Sequence, residues 1–146
     1  MTLLRELLKP FTKELAKVPA GRLRIFGALG HGARDFSAED LAAIDAAFQT
    51  PDLGRYQPGM SGRAVRLAGV LQSCAPKPGP LYLNAASRDG AKVLAFWRHE
   101  VEPLAWIRYG DGAFELVVPG LAAPRASLRD LALIEIGNQG ERERGA

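Results

Sequence analysis

The chain has 146 residues, 47% hydrophobic and 24% charged, the size and balance of one folded unit rather than of a disordered segment. Its single cysteine, Cys74, excludes an intrachain disulfide and any site built from several thiolates. Nineteen Lys and Arg against sixteen Asp and Glu leave a net charge of +3, which permits polyanion binding without demanding it.

Apolar runs are only a few residues long, and nothing approaches the roughly 20 needed to cross a bilayer. Arg5, Glu6, Lys9, Lys13 and Glu14 interrupt the N-terminal stretch, so no secretory signal is expected and the cytoplasm is the expected location. Fourteen of the nineteen cations are arginine, the better fork for phosphate or carboxylate. Ala, Gly and Leu are abundant alongside Arg, however, as base composition alone would produce.

Residues 2 to 18 carry Leu3, Leu4, Leu7, Leu8, Phe11, Leu15 and Val18 at the spacing of one apolar helix face. Pro10 falls inside that pattern and predicts a kink or restart, since proline removes one helical hydrogen bond and crowds the preceding turn. Arg5, Lys9, Lys13 and Lys17 recur every four residues, a basic stripe that could lie on phosphates or an acidic partner, although a solvated flank paired partly with Glu6 and Glu14 is the favoured reading. After Pro19-Ala20-Gly21, the alternation in Arg22-Leu23-Arg24-Ile25-Phe26 predicts a half-buried strand. Residues 27 to 34 form a glycine-rich loop whose Gly-x-x-Gly-x-Gly spacing is neither the dinucleotide fingerprint nor a P-loop, so a plain turn is expected.

Ser37 is the strongest helix start: its hydroxyl can cap, Asp40 stands at the third helical position, and Phe36 can pack on Leu41. That helix is expected to reach Gln49 and stop before Pro51. A Pro/Gly loop with Arg55 and Tyr56 leads to a third expected helix over residues 61 to 74, with Ala64, Leu67, Ala68 and Leu71 on one face. Cys74 at its end is expected as a small buried hydrophobe.

Residues 80 to 118 carry the β-prone runs and both tryptophans. A turn at Ser87-Arg88-Asp89-Gly90 predicts a hairpin between residues 80 to 85 and 91 to 98, and Gly110-Asp111-Gly112 supplies the positive-φ residues of another. The expected fold class is therefore α+β, three to four helices packed on an antiparallel meander of four to five strands, with residues 1 to 138 as a single domain. Val93, Ala95 and Trp97 share one strand face, which places Trp97 on the core side, and the face of Leu94, Phe96 and Arg98 is also largely apolar. Both sheet faces are then expected to be covered, by helices on one side and a partner or second subunit on the other. Ser127 is expected to cap a last helix through Ile136, although Leu133-Ile134-Glu135-Ile136 is equally strand-like. Residues 139 to 146 are expected to be a disordered tail.

No spaced catalytic motif occurs. The weak catalytic candidates are His99, beside Glu100 and Glu102, and His31, near Asp35; an ordinary polar turn is the favoured reading of His99 and its acidic neighbours. No cofactor and no metal is expected. A nucleic-acid surface would draw on Arg22, Arg24, Arg63, Arg66, Arg98 and Arg108 with Tyr82, Trp97, Trp106 and Tyr109. The polyanion-binding candidates are Arg5, Lys9, Lys13, Lys17, Arg22 and Arg24. The expected function is a small soluble binding or regulatory module, not an enzyme, acting through a protein partner or self-association. Nucleic-acid binding is the alternative, and a small hydrolase using His99 with nearby carboxylates is the second.

Overall fold

The computed structural model describes residues 10 to 110 and 112 to 145. In chain order these form helix α1 (Pro10–Ala16), strands β1 (Leu23–Gly27) and β2 (Arg34–Phe36), helix α2 (Ala38–Ala42), strands β3 (Gln49–Thr50) and β4 (Ala64–Arg66), and helix α3 (Leu67–Cys74). The hairpin β5 (Tyr82–Ser87) and β6 (Val93–Trp97) follows, then helix α4 (Arg98–Val101), strands β7 (Trp106–Gly110) and β8 (Ala113–Val117), and finally β9 (Ser127–Arg129) and β10 (Leu131–Gly137). None of the described helices is long and apolar enough to cross a membrane.

The class is α+β, as the residue pattern predicts, with the strands in two five-stranded sheets of order β2-β1-β10-β5-β6 and β3-β4-β7-β8-β9. The stretch from 80 to 118 is divided between them: the β5–β6 hairpin belongs to the first sheet and the β7–β8 hairpin to the second, with α4 carrying the chain across. Among the described residues every strand pairing is antiparallel except β1 with β10. Facing side chains of the two sheets make one core. Leu23, Ile25, Leu83, Leu94, Phe96 and Ile134 come from the first, and Val65, Ile107, Phe114, Leu116 and Leu128 from the second. Leu67, Val70, Leu71 and Cys74 of α3 join the same cluster.

Among the described residues, the other face of the first sheet is covered only in part. Phe11, Leu15 and Val18 pack on Phe26, Ala86, Val93 and Leu133, so the amphipathic pattern around residues 11 to 18 buries one corner of the sheet. Near that corner Gly27 closes β1 opposite Ile136 at φ 105°. A Cβ there would overlap the Ile136 carbonyl oxygen, so the close approach of these two parallel strands requires glycine.

Three element expectations are corrected. The Ser37 capping box is present, with Ser37 Oγ accepting the Asp40 N–H at 3.0 Å and Asp40 returning the contact to the Ser37 N–H at 2.8 Å. The helix it starts nevertheless ends at Ala42, not Gln49. Asp45 caps a new 3-10 turn through the Ala47 N–H, and the Gln49 side chain donates to the Leu41 and Ile44 carbonyls that a longer helix would have used. The expected helix over 61 to 74 is half strand: Ala64, Val65 and Arg66 pair with β7, and only from Leu67 does the chain coil. The expected last helix is two strands, because Asp130 at φ 53° turns the chain between them and Leu131 to Ile136 is then buried on both faces at the centre of a sheet.

Candidate binding groove

β6 is the outermost strand of the first sheet, and its successive side chains point to opposite faces. Leu94 and Phe96 enter the core between the sheets, while Val93, Ala95 and Trp97 lie on the outer face. The shared parity of those three is as the pattern predicts, but Trp97 is not a core residue: 46% of it is exposed. The physical reason is that α1 reaches only the Val93 end of the strand. Trp97 instead stacks on its cross-strand partner Tyr82, with ring centroids 4.8 Å apart and 25° between planes.

Beside that pair opens a cleft of about 510 Å³ lined by Ala95, Phe96, Val101, Leu104, Leu121 and Arg125, among others. Leu104 and Leu121 are 52% and 37% exposed. Of the five large hydrophobic side chains that are exposed among the described residues, Trp97, Leu104 and Leu121 wall this cleft. Leu81 borders a second cleft on the other side of α4, and Tyr56 lies against Trp106, ring centroids 4.8 Å apart. The polar rim of the main cleft is Glu100 and Arg125. The Arg125 guanidinium lies 4.9 Å over the Phe96 ring, donates to the Ala95 carbonyl, and pairs with Glu143 at 3.2 Å. The groove thus offers apolar walls and one cationic anchor.

The predicted site residues are dispersed. His99 is exposed on α4 and borders the second cleft with Pro78, Pro80, Leu81, Arg98 and Glu102. Its neighbour Glu102 accepts from Arg98 Nε at 3.0 Å, and Asp35, the carboxylate near His31, accepts from Arg24 at 2.7 Å and 3.0 Å. His31 is exposed in the glycine loop, which is fixed to the end of α3 by the Gly30 N–H donating to the Ala75 carbonyl. Among the described residues no three of His, Cys, Asp and Glu gather as a metal site. Cys74 is buried, and burial pushes its thiol pKa up.

Arg5 and Lys9 of the basic stripe lie outside the described residues. Lys13 and Lys17 are exposed on and just after α1, with Lys17 3.3 Å from Glu14. Arg24 is tied to Asp35 and Glu14, which hold its guanidinium pKa well above the ordinary arginine value, while Arg22 is exposed. The arginines and aromatic rings proposed for a nucleic-acid face are split between the sheets. Tyr82 and Trp97 belong to the first, with Arg98 just beyond them on α4. On the second, Arg66 lies over Trp106 and Tyr56, Arg63 lies over Tyr109, and Arg108 binds Glu115 at 2.7 Å.

Leu104, Leu121, Arg125 and Glu143 were not legible as site residues from sequence. The signal available for the two leucines was local: Pro103-Leu104 and Pro119-Gly120-Leu121 set an apolar side chain in a proline-broken loop, where no periodic element exists to bury it. Arg125 and Glu143 meet only through the tertiary fold.

No protein-family profile matches the sequence, and no curated protein is similar to it. In fold, 82% of the chain is similar to the sulfane dehydrogenase SoxCD from Paracoccus pantotrophus, with a TM-score of 0.61 and 20% sequence identity. The similarity covers 38% of that chain.

Proposed function

We propose that the protein is a binding module whose partner is another protein, held at the groove between Trp97, Leu104 and Leu121. The observation that carries this is the stacked Tyr82–Trp97 pair, left open to solvent at the lip of an apolar cleft, with Leu104 and Leu121 exposed opposite. Exposed aromatic and aliphatic side chains around a concave site lower the free energy of association by leaving water together, and aromatic anchors dominate such interfaces. Arg125 on the rim selects for an acidic residue in the bound segment. The likeness to part of a sulfane dehydrogenase concerns the fold, and a fold alone carries no activity.

The test is selection from a random peptide display library on the immobilised protein. Sequences with a large apolar residue next to Asp or Glu are expected to be enriched. Trp97→Ala and Leu104→Glu, each checked for an unchanged circular dichroism spectrum, are expected to weaken the selected peptide about tenfold or more, or roughly 1.4 kcal/mol. Arg66→Ala on the second sheet serves as the control and is expected to leave binding unchanged. Failure to enrich any sequence, or equal loss at Arg66, would show that the groove is not the partner site.

A further inference from the structure

The outward backbone groups of β6 need partners, because this strand is the edge of its sheet. They find them in the C-terminal residues, which were expected to form a disordered tail. The Val93 N–H donates to the Arg144 carbonyl at 2.9 Å and the Arg144 N–H donates to the Val93 carbonyl at 3.0 Å, a two-way antiparallel bridge. Two residues on, the ladder is completed by side chains. Glu143 Oε2 accepts the Ala95 N–H at 2.9 Å, and Arg125 donates to the Ala95 carbonyl. The segment is pinned at its start by the Glu141 N–H donating to Asn84 Oδ1 at 2.8 Å, and near its end by Arg144 Nε donating to the Gly90 carbonyl at 2.9 Å. A Cβ on Gly140 would lie 3.0 Å from the Tyr82 ring, so the segment begins against the wall of the groove.

We propose that residues 141 to 145 are a strap that occupies the β6 edge in cis, and that the partner segment displaces it by adding its own strand there. This rests on the groove being the partner site. The strap is an incomplete strand: only Val93 is bridged backbone to backbone, whereas a full strand would satisfy Val93 and Ala95 alike. It also shows what the incoming segment must carry. An acidic side chain belongs where Glu143 meets Arg125, and an apolar one belongs on the Trp97 side of it, one residue before the position of Gly140, where a Cβ would crowd the Tyr82 ring. The occupant is an extended acidic-apolar segment of a partner protein, running antiparallel to β6.

The experiment compares the wild-type chain with a Glu143→Ala, Arg144→Pro double variant. These changes remove the acidic anchor and the N–H donated to Val93 while leaving every residue that lines the cleft itself in place. The probe is a synthetic peptide of strap sequence with a leucine added on the groove side, Leu-Gly-Glu-Arg-Glu-Arg-Gly. Amide exchange at Val93 and Ala95 is expected to accelerate in the variant while the amides of β10 stay protected. The peptide is expected to bind the variant about tenfold more tightly than the wild type, since the competing occupant is gone. Methylating alternate backbone nitrogens of the peptide is expected to abolish the gain. Equal affinity for the two chains, unchanged exchange, or a methylated peptide that binds as well would overturn the strap. A gain that survives Leu104→Glu in the same variant would leave the strap standing and remove the groove.

Discussion

Asn84 is one of four buried polar or charged residues among those described. Fully buried on β5, its amide donates to Glu135 Oε1 and to the Gln139 carbonyl, both at 2.9 Å, and its carbonyl accepts from Glu141. It therefore ties β10 to the chain that returns over the sheet. Glu135 pays for this position in solvation: burial pushes its carboxyl pKa up, the Asn84 amide opposes the shift, and Glu141 nearby adds to it. The sign of the pH effect follows. A carboxyl whose folded value lies above its unfolded one contributes stability that is complete below the unfolded value and is lost as pH rises through the folded one. Asp40 and Asp89, whose pKa values are lowered by backbone N–H donors, act in the opposite direction and weaken the fold as pH falls. Glu135→Gln keeps the acceptor for Asn84 and removes the charge, so it is expected to raise the melting temperature at pH 7. Below the carboxylate range, where Glu135 is already protonated, the two melting temperatures are expected to converge. Melting curves across pH that stay parallel would show that Glu135 does not titrate in this way.

Among the described elements, the β1–β10 pairing is the only parallel one, and Gly27 sets how closely those strands approach. Gly27→Ala adds positive-φ strain to an overlap with the Ile136 backbone, and is expected to cost about 3 kcal/mol or more. Gly21→Ala is the matched control, with φ 72° and open space around the added methyl, and is expected to cost about 1 kcal/mol. Urea unfolding of the two variants checks the difference. The elements that sequence made legible were those fixed by local chemistry: the Ser37 capping box, the hairpin turning at Gly90, and the alternation in Arg22 to Phe26. Those it misassigned were fixed by partners distant in sequence. Leu128, Leu131 and Ile134 are spaced like a helix face, yet the chain turns at Asp130 and all three enter one core from two different sheets. Val65 belongs to a strand because Gln49 and Ile107 lie on either side of it. At the groove, the parity of Trp97 was legible but its exposure was not, since that depends on how far α1 reaches across the sheet.

At the scale of the whole molecule, both sheets contribute to one cluster of buried side chains, and α3 enters the same cluster from between β4 and β5 in sequence. The connectivity alternates as well: β3 and β4 of the second sheet precede β5 and β6 of the first, and β9 is followed by β10 at the centre of the other sheet. Neither sheet can be separated without exposing the apolar face of the other, and the long-range strand pairs must form together. The expectation is a single cooperative transition in which circular dichroism, dominated by the strands, and the fluorescence of Trp106, buried on β7, change at the same temperature. Ile134→Ala in the first sheet and Leu116→Ala in the second each remove a fully or nearly fully buried side chain from the shared core. Each is expected to cost about 2 to 5 kcal/mol. Both are expected to lower that one transition as a whole. Two resolved transitions, with Ile134→Ala moving one and Leu116→Ala the other, would instead show that the sheets melt as separate units.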